Sequence, residues 1–213
     1  LYERYWAPVL LAAATRLLEY LEWYAGGPPD RDLQVVDLGT GTGTLAAAVL
    51  ERWPLASVIA TDAAEGMLEV ARERLAGHGQ RVTSAAGPAD RLPLADASAD
   101  VLVSSFVLQL VPDRRAALAE CRRVLRPGGM VGYVTWIDRD MRDPFTPAEE
   151  FDEAVLDLSI EEAEEPPEKV AGDVASATAA AAQLRRLGYR DVVAREDSLA
   201  YDWTLETYLD YKL

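Results

Sequence analysis

Two carboxylates and a run of glycines are the residues of this 213-residue chain best placed to hold a ligand. Gly39, Gly41 and Gly43 follow directly on Val35, Val36, Asp37 and Leu38, and the helix-forming run Leu45 to Leu50 comes next. A strand that passes through a turn poor in side chains into a helix leaves backbone N–H groups uncovered at the helix N-terminus. A polar or anionic ligand group accepts from such donors. Glycine permits the positive backbone angles and close approach that a Cβ would obstruct. Ser57 to Asp62 reads as a second strand ending in a carboxylate, 23 positions beyond Gly39. At that spacing an acid accepts from ribose hydroxyls in a dinucleotide fold, so the expected ligand is nucleotide-like.

Other reactive side chains offer less. Cys121 is the single cysteine, which leaves no partner for an internal disulfide. Its neighbours Glu120, Arg122 and Arg123 place it on an amphipathic helix, as a buried structural thiol. His78, the single histidine, falls in the turn Ala76-Gly77-His78-Gly79-Gln80 before a third strand and reads as a surface loop residue. No group of side chains has metal-ligand spacing, and no metal is expected.

The elements that must position these residues alternate along the chain. Apolar residues Val9, Leu10, Ala13, Leu17, Leu18 and Leu21 recur at helical spacing within 2–24, and Gly26-Gly27-Pro28-Pro29 ends that helix. The pattern then predicts strand 33–38, helix 43–52, strand 57–62, helix 64–76, strand 81–85, strand 100–106, helix 113–126 and strand 130–136. Such alternation gives a doubly wound, mainly parallel α/β sheet of Rossmann-like type, with ligands at the carboxyl ends of its strands beside the first one. One domain fits the length: an N-terminal helical cap 1–26, a core 30–137, an acidic insertion 138–173 over the pocket, and a C-terminal part 174–213. Within the insertion 148–159 reads as helical. Beyond it come helix 174–187, an extended stretch 191–203 and helix 204–211.

Charge and hydropathy exclude several classes. The net charge of −15 argues against a nucleic-acid substrate, which calls for clustered lysine and arginine. Residues 138–173 hold fourteen acids against Arg139, Arg142 and Lys169, so −11 of the −15 lies there. That segment reads first as a solvated lid and second as an attractor for a cationic substrate or partner. The longest apolar run, Val101 to Val111, is too short for a bilayer and is broken by Ser104, Ser105 and Gln109, so no membrane partner is expected. A single cysteine is compatible with the cytoplasm. A chain opening at Leu1 is expected to lack its true start.

The glycine spacing is Gly-x-Gly-x-Gly, with Thr44 where a dehydrogenase has its third glycine, and Asp37 stands two residues ahead of the first. In this the chain resembles the class I S-adenosylmethionine-dependent methyltransferases, in the small-molecule branch often called type 11 or UbiE-like. The resemblance continues through Asp62-Ala63-Ala64-Glu65-Gly66-Met67, Gly87-Pro88-Ala89-Asp90-Arg91-Leu92-Pro93-Leu94, Ser98 to Phe106, and Arg123 to Gly129, and so covers roughly residues 33–137. Leu184 to Val192 resembles the family's turn into a sixth strand. Since the family closes its sheet with a seventh strand, the resemblance implies a chain shortened at its C-terminus unless 199–203 fills that place.

What the resemblance implies is a methyl transfer from S-adenosylmethionine to a small-molecule acceptor, an in-line displacement that depends mainly on positioning. Asp37, Gly39, Thr40 and Gly41 would surround the methionine portion of the cofactor and Asp62 its ribose. Ala63 and Met67 would flank the adenine, Ala89 and Asp90 would edge it, and Ser105 would lie near the sulfonium. Tyr5, on a helix that in the family covers the cofactor, would bond its carboxylate. Pro88 replaces the usual acid facing the adenine amino group, with Asp90 as the substitute. Phe106, Gln109, Trp136 and Trp6 fall where an acceptor would bind. Gln109 stands where relatives often carry histidine, so no catalytic base is designated. A cofactor-binding protein without catalysis is the alternative of another class, and a nicotinamide dehydrogenase is disfavoured by Thr44. Partnership as a homodimer stays open.

Overall fold

The computed structural model describes residues 2–137 and 170–198, and side chains of the first helix from Leu10 onward. Helix α1 (Tyr2–Ala25) leads into β1 (Leu33–Leu38), α2 (Thr44–Arg52), β2 (Ala56–Asp62), α3 (Glu65–Leu75) and β3 (Val82–Ala86). Then come β4 (Ala99–Ser105), α4 (Arg114–Val124), β5 (Leu125–Val134) and α5 (Ala177–Arg186). The strands form one sheet in the order β3-β2-β1-β4-β5. All four pairings are parallel. The chain crosses from one side of β1 to the other between β3 and β4, so the expected doubly wound fold and its switch point beside β1 are both present.

Alternation along β1 explains the two cores, because successive side chains of a strand point to opposite faces. Val35 joins Leu18, Val49, Trp53 and Val58 under α1 and α2, with Ala71 and Leu75 of α3. Val36 and Leu38 join Leu102, Leu118, Cys121 and Leu184 under α4 and α5. Helix α1 lies close on the sheet: a Cβ on Gly132 of β5 would stand 2.9 Å from Leu21 Cδ2. Its C-terminal half is also tied to the end of α2, where Glu22 Oε1 accepts from Arg52 Nε at 2.6 Å and Trp53 Nε1 at 2.7 Å.

Several boundaries differ from the sequence reading for local reasons. Helix α4 ends at Val124, not 126, and β5 begins at once, with Leu125 opposite Ala99 before the register jumps to Val101 and Met130. Arg126 to Gly129 therefore make an excursion inside the ladder, and β5 stops at Val134 before residue 136. Residues 76–81 form a short 3-10 turn, which shifts β3 to start at Val82. His78 lies in that turn, as expected. Helix α5 starts at Ala177 instead of 174, because the Ser176 side chain accepts from the Ala179 amide at 3.1 Å and caps it there. Val174 instead forms an isolated parallel bridge with Ile137. Residues 192–198 join no strand. The expected helices 148–159 and 204–211, strand 199–203, and the acidic stretch up to 169 lie outside the described residues. Among the described residues no helix is long and apolar enough to cross a membrane.

The packing of α1 sets a first test. Leu18 is 1% exposed and Leu11, on the same helix, 40% exposed. Leu18→Ala should lower unfolding free energy by about 2–5 kcal/mol, and Leu11→Ala by less than about 1 kcal/mol. Equal losses in urea denaturation would show that α1 is not docked in this way.

Candidate cofactor site

Each strand that borders β1 sends something to its carboxyl end. Thr61 Oγ1 of β2 donates to the Asp37 carbonyl at 3.0 Å, and Ser104 Oγ of β4 donates to the Leu38 carbonyl at 2.9 Å. The last peptide groups of β1 are thereby held from both sides. The loop then turns through three glycines with positive φ, of +66° at Gly39, +54° at Gly41 and +85° at Gly43. Gly43 precedes α2 directly, with no side-chain cap, so glycine angles and not a capping side chain start this helix. Gly39 needs its missing Cβ for a second reason: one placed there would overlap both γ-carbons of Val107, in the loop after β4.

Asp37 is fully buried. Its Oδ2 accepts from the Thr40 hydroxyl at 2.7 Å, while Oδ1 has no hydrogen-bond partner. Burial pushes this carboxyl up to about 7, against the pull of the Thr40 hydroxyl and the nearby Ala46 amide and with a small addition from Asp62. The folded chain thus keeps a proton that an unfolded chain releases near the ordinary aspartate value of 3.8. Asp37 alone makes folding less favourable as pH rises through that interval, and the loss levels off above about 7. Asp37, Gly39, Thr40, Thr44, Leu45 and Ser105 line a narrow recess of about 30 Å³ roofed by Leu10 and Ala14 of α1. Thr44 Oγ1 and Ser105 Oγ are also buried without partners. The donor set suits the ammonium and carboxylate end of an amino acid: a cation would find the free Asp37 oxygen, and hydroxyls stand ready to donate.

Asp62 closes the loop from the other side. Its Oδ2 accepts from the Gly41 amide and its Oδ1 from the Ala64 amide, both at 2.9 Å. Each oxygen keeps a second lone pair for a diol. The register of β2 and β3 sets Asp62 opposite Ala86, so the segments after these two strands are neighbours. On them Ala63, Met67 and Asp90 are exposed and Ala89 is half-buried. A nucleoside would therefore extend from the recess along an open edge.

The sequence-derived residues thus separate into groups. Asp37, Gly39, Thr40 and Ser105 meet at one recess, Gly41 and Asp62 are bonded to each other, and the four adenine candidates line neighbouring strand ends. Phe106 and Trp136 form a tilted ring pair with centroids 4.3 Å apart. Gln109 is 6% exposed, with Nε2 donating to the Phe106 carbonyl and Oε1 accepting from the Thr135 hydroxyl. Tyr5 and Trp6 lie in α1, but their side chains are outside the described residues. Sequence reasoning missed Val107, seated on Gly39, and Arg114, buried at the start of α4 and donating to the Leu108 and Gly172 carbonyls. Val107 carried no signal beyond its place after a strand. Arg114 follows the helix cap Asp113 and looked like a surface charge. Cys121 is buried, and burial raises its thiol to about 12, which removes it from any nucleophilic role. A wider cleft of about 200 Å³ between α3 and β3, lined by Ala71, Arg72 and Ser84 among others, shares no residue with the recess. Among the described residues no cluster of His, Cys, Asp or Glu could hold a metal.

Residues 35–129 match the family described as "Methyltransferase domain". A malonyl-[acyl-carrier protein] O-methyltransferase of Xylella fastidiosa is 40% identical over 116 residues, covering 54% of this chain and 38% of that protein. A demethylmenaquinone methyltransferase of Clavibacter sepedonicus is 45% identical over 98 residues, covering 46% and 39%. The chain spans about two-fifths of the length of such curated relatives. The crystal structure of phosphoethanolamine N-methyltransferase 2 of Haemonchus contortus with S-adenosyl-L-methionine shares the fold. Its TM-score is 0.61 at 22% identity, covering 83% of this chain and 37% of that one.

The glycine loop supplies the test of this site. Gly39→Ala should cost about 2–4 kcal/mol through left-handed strain and the clash with Val107. Gly66 lies inside α3, and a Cβ added there would have nothing within 4 Å, so Gly66→Ala should gain up to about 1 kcal/mol. Equal thermal unfolding of the two variants would refute the loop geometry. The loop, the acid at the end of β2, the strand order and the matched segment agree: residues 35–129 of this chain are similar to a methyltransferase domain, on a fold shared with a solved methyltransferase.

Proposed function

We propose that the chain transfers a methyl group from S-adenosylmethionine to a small-molecule acceptor, and that it does so mainly by positioning. The observation that carries this reading is the buried, half-satisfied carboxylate of Asp37 in a recess it shares with Gly39, Thr40 and Ser105. When bound, the cofactor supplies a methyl group already activated by its sulfonium. Asp37 and the Thr40 hydroxyl hold the methionine end, Asp62 holds the ribose while bracing Gly41, and Met67 with Ala63 packs on the adenine. Pro88 brings no side-chain acceptor to the adenine amino group, and Asp90, exposed two residues on, supplies it.

Apart from Asp37, no described residue lining the recess titrates, and Gln109 has both ends of its amide occupied. The acceptor therefore brings its own lone pair instead of having a proton removed by a base of this site. Phe106 and Trp136 form the wall against which it lies. Curated relatives are named for transfer to a carrier-linked malonyl group and to a demethylmenaquinone, and both names fit an acceptor larger than an amino acid. The charge of −15 supports a substrate other than nucleic acid, and the single cysteine is compatible with a place in the cytoplasm. We take 30–137 as the core, 1–26 as its cap, 138–173 as an insertion, and 174–213 as the remainder of one domain.

Two measurements test the reading. Protein incubated with methyl-labelled S-adenosylmethionine and a bacterial small-metabolite extract should yield a labelled product. Cofactor turnover absent under every condition, with binding intact, would favour a binding protein. Calorimetry of S-adenosylhomocysteine between pH 5.5 and 7.5 should show affinity falling as pH drops below about 7, because Asp37 must lose its proton to meet the ammonium. Asp37→Asn should bind at least tenfold more weakly at pH 7.5 and lose this dependence. An identical profile in the variant would remove Asp37 from the site.

A further inference from the structure

Phe106 is one of three non-glycine residues with positive φ among those described, at +56°, and it is 7% exposed. An aromatic residue held at that angle costs free energy and persists only where its surroundings over-determine it. Three contacts do so here. The Phe106 amide donates to the Val134 carbonyl at 2.9 Å, its ring lies against Trp136, and its carbonyl accepts from Gln109 Nε2 at 2.8 Å. The same amide group of Gln109 accepts, through Oε1, from the Thr135 hydroxyl at 3.0 Å. A carbonyl can only accept, so Nε2 must face Phe106 and Oε1 must face Thr135, which leaves one orientation for this side chain.

We propose that Gln109 is a positioning residue: its buried amide clamps the turn after β4 to the end of β5 and so sets the Phe106–Trp136 wall beside the cofactor recess. Beyond the backbone bond from Phe106 to Val134, the clamp acts between two segments that have left the sheet. One carries Phe106, and Thr135 immediately precedes Trp136 in the other. Val107, between Phe106 and Gln109, rests on Gly39, so the turn held by the amide is also the turn seated on the cofactor loop. The Gln109 carbonyl accepts from the Gly172 amide at 2.9 Å, which fixes the residue's backbone while its side chain reaches across. A histidine or carboxylate here would trade one of the two bonds for a titratable group. Glutamine keeps both and stays neutral. The wall borders an acceptor only if the methyl-transfer reading holds, but its dependence on Gln109 is a property of the free protein.

The full chain labelled with 5-fluorotryptophan tests this by fluorine NMR, with the Trp136 resonance assigned by its loss in Trp136→Phe. Gln109→Met keeps the length and removes both bonds, and Thr135→Val removes one. Each should move or broaden the Trp136 resonance and leave that of Trp53, in the core under α1, within a line-width. Thr135→Ser, which keeps the hydroxyl, should leave Trp136 as in the parent. Gln109→Glu adds a signature that plain packing would not give. Protonated, the side chain can donate to the Phe106 carbonyl; ionised, it cannot, so the Trp136 resonance should approach its parent position as pH falls from 8 to 5.5. A Trp136 resonance unmoved in Gln109→Met and Thr135→Val, or independent of pH in Gln109→Glu, overturns the proposal. Should Gln109→Met fail to fold, Thr135→Val still decides, since it leaves the bond to Phe106 in place. Calorimetry with S-adenosylhomocysteine on the parent protein tests the cofactor reading separately. No binding by the parent itself would count against the cofactor reading and leave the fluorine result standing.

Discussion

The structure turns on a carboxylate placed where water cannot reach it. Asp37 closes the central strand, and every neighbouring element is arranged around it: β2 and β4 bond the last carbonyls of β1, Thr40 folds back to one oxygen, and α1 covers the recess. A buried acid with one oxygen unpaired is unfavourable for folding alone. Its open oxygen leaves a hydrogen-bonding position that a ligand cation would complete. Hydrophobic burial does not explain an aspartate at this position, since the other fully buried residues of the strand are all apolar.

The surrounding sheet supplies rigidity at that point. With β1 paired to β2 from Leu33 to Leu38 and to β4 from Val35 to Leu38, the glycine loop starts from a fixed edge. The two faces are filled independently, by α1, α2 and α3 on one and by α4 and α5 on the other. The ligand loop therefore stands on strand ends braced by two cores, while its own residues remain nearly free of side chains. The open edge at Met67 and Asp90 contrasts with the closed recess at Asp37. One end of the site is directed and enclosed, and the other is open to solvent.

Much of this was legible in the sequence because it is local. The glycine spacing, Asp37 and Asp62 announce themselves within 26 residues, since backbone angles and strand ends are set by neighbours in the chain. The parallel, doubly wound sheet with its switch point beside β1 followed from the alternation of elements. The start of β5 was misread because Arg126 to Gly129 look like a turn outside the sheet, whereas Leu125 already pairs with Ala99. Gln109 was read as a residue facing an acceptor. Its engagement depends on Thr135, 26 positions on, and no periodicity reports a bond between two loops. Arg114 was hidden for a similar reason: its partners are carbonyls of Leu108 and Gly172, which carry no mark in the sequence.

The bridge between Ile137 and Val174 reaches beyond the site. Val174 donates to the Trp136 carbonyl at 3.1 Å, and Ala171 and Gly172 donate to Val111 and Gln109, so the chain is gathered again where it left the sheet. The 36 residues between the two bridge positions begin and end at one place. Closure entropy grows only slowly with loop length, by about 0.6 kcal/mol for each doubling. Lineages of this fold could thus lengthen, shorten or exchange that stretch at little thermodynamic expense, leaving the sheet a constant platform and this junction a point of evolutionary grafting.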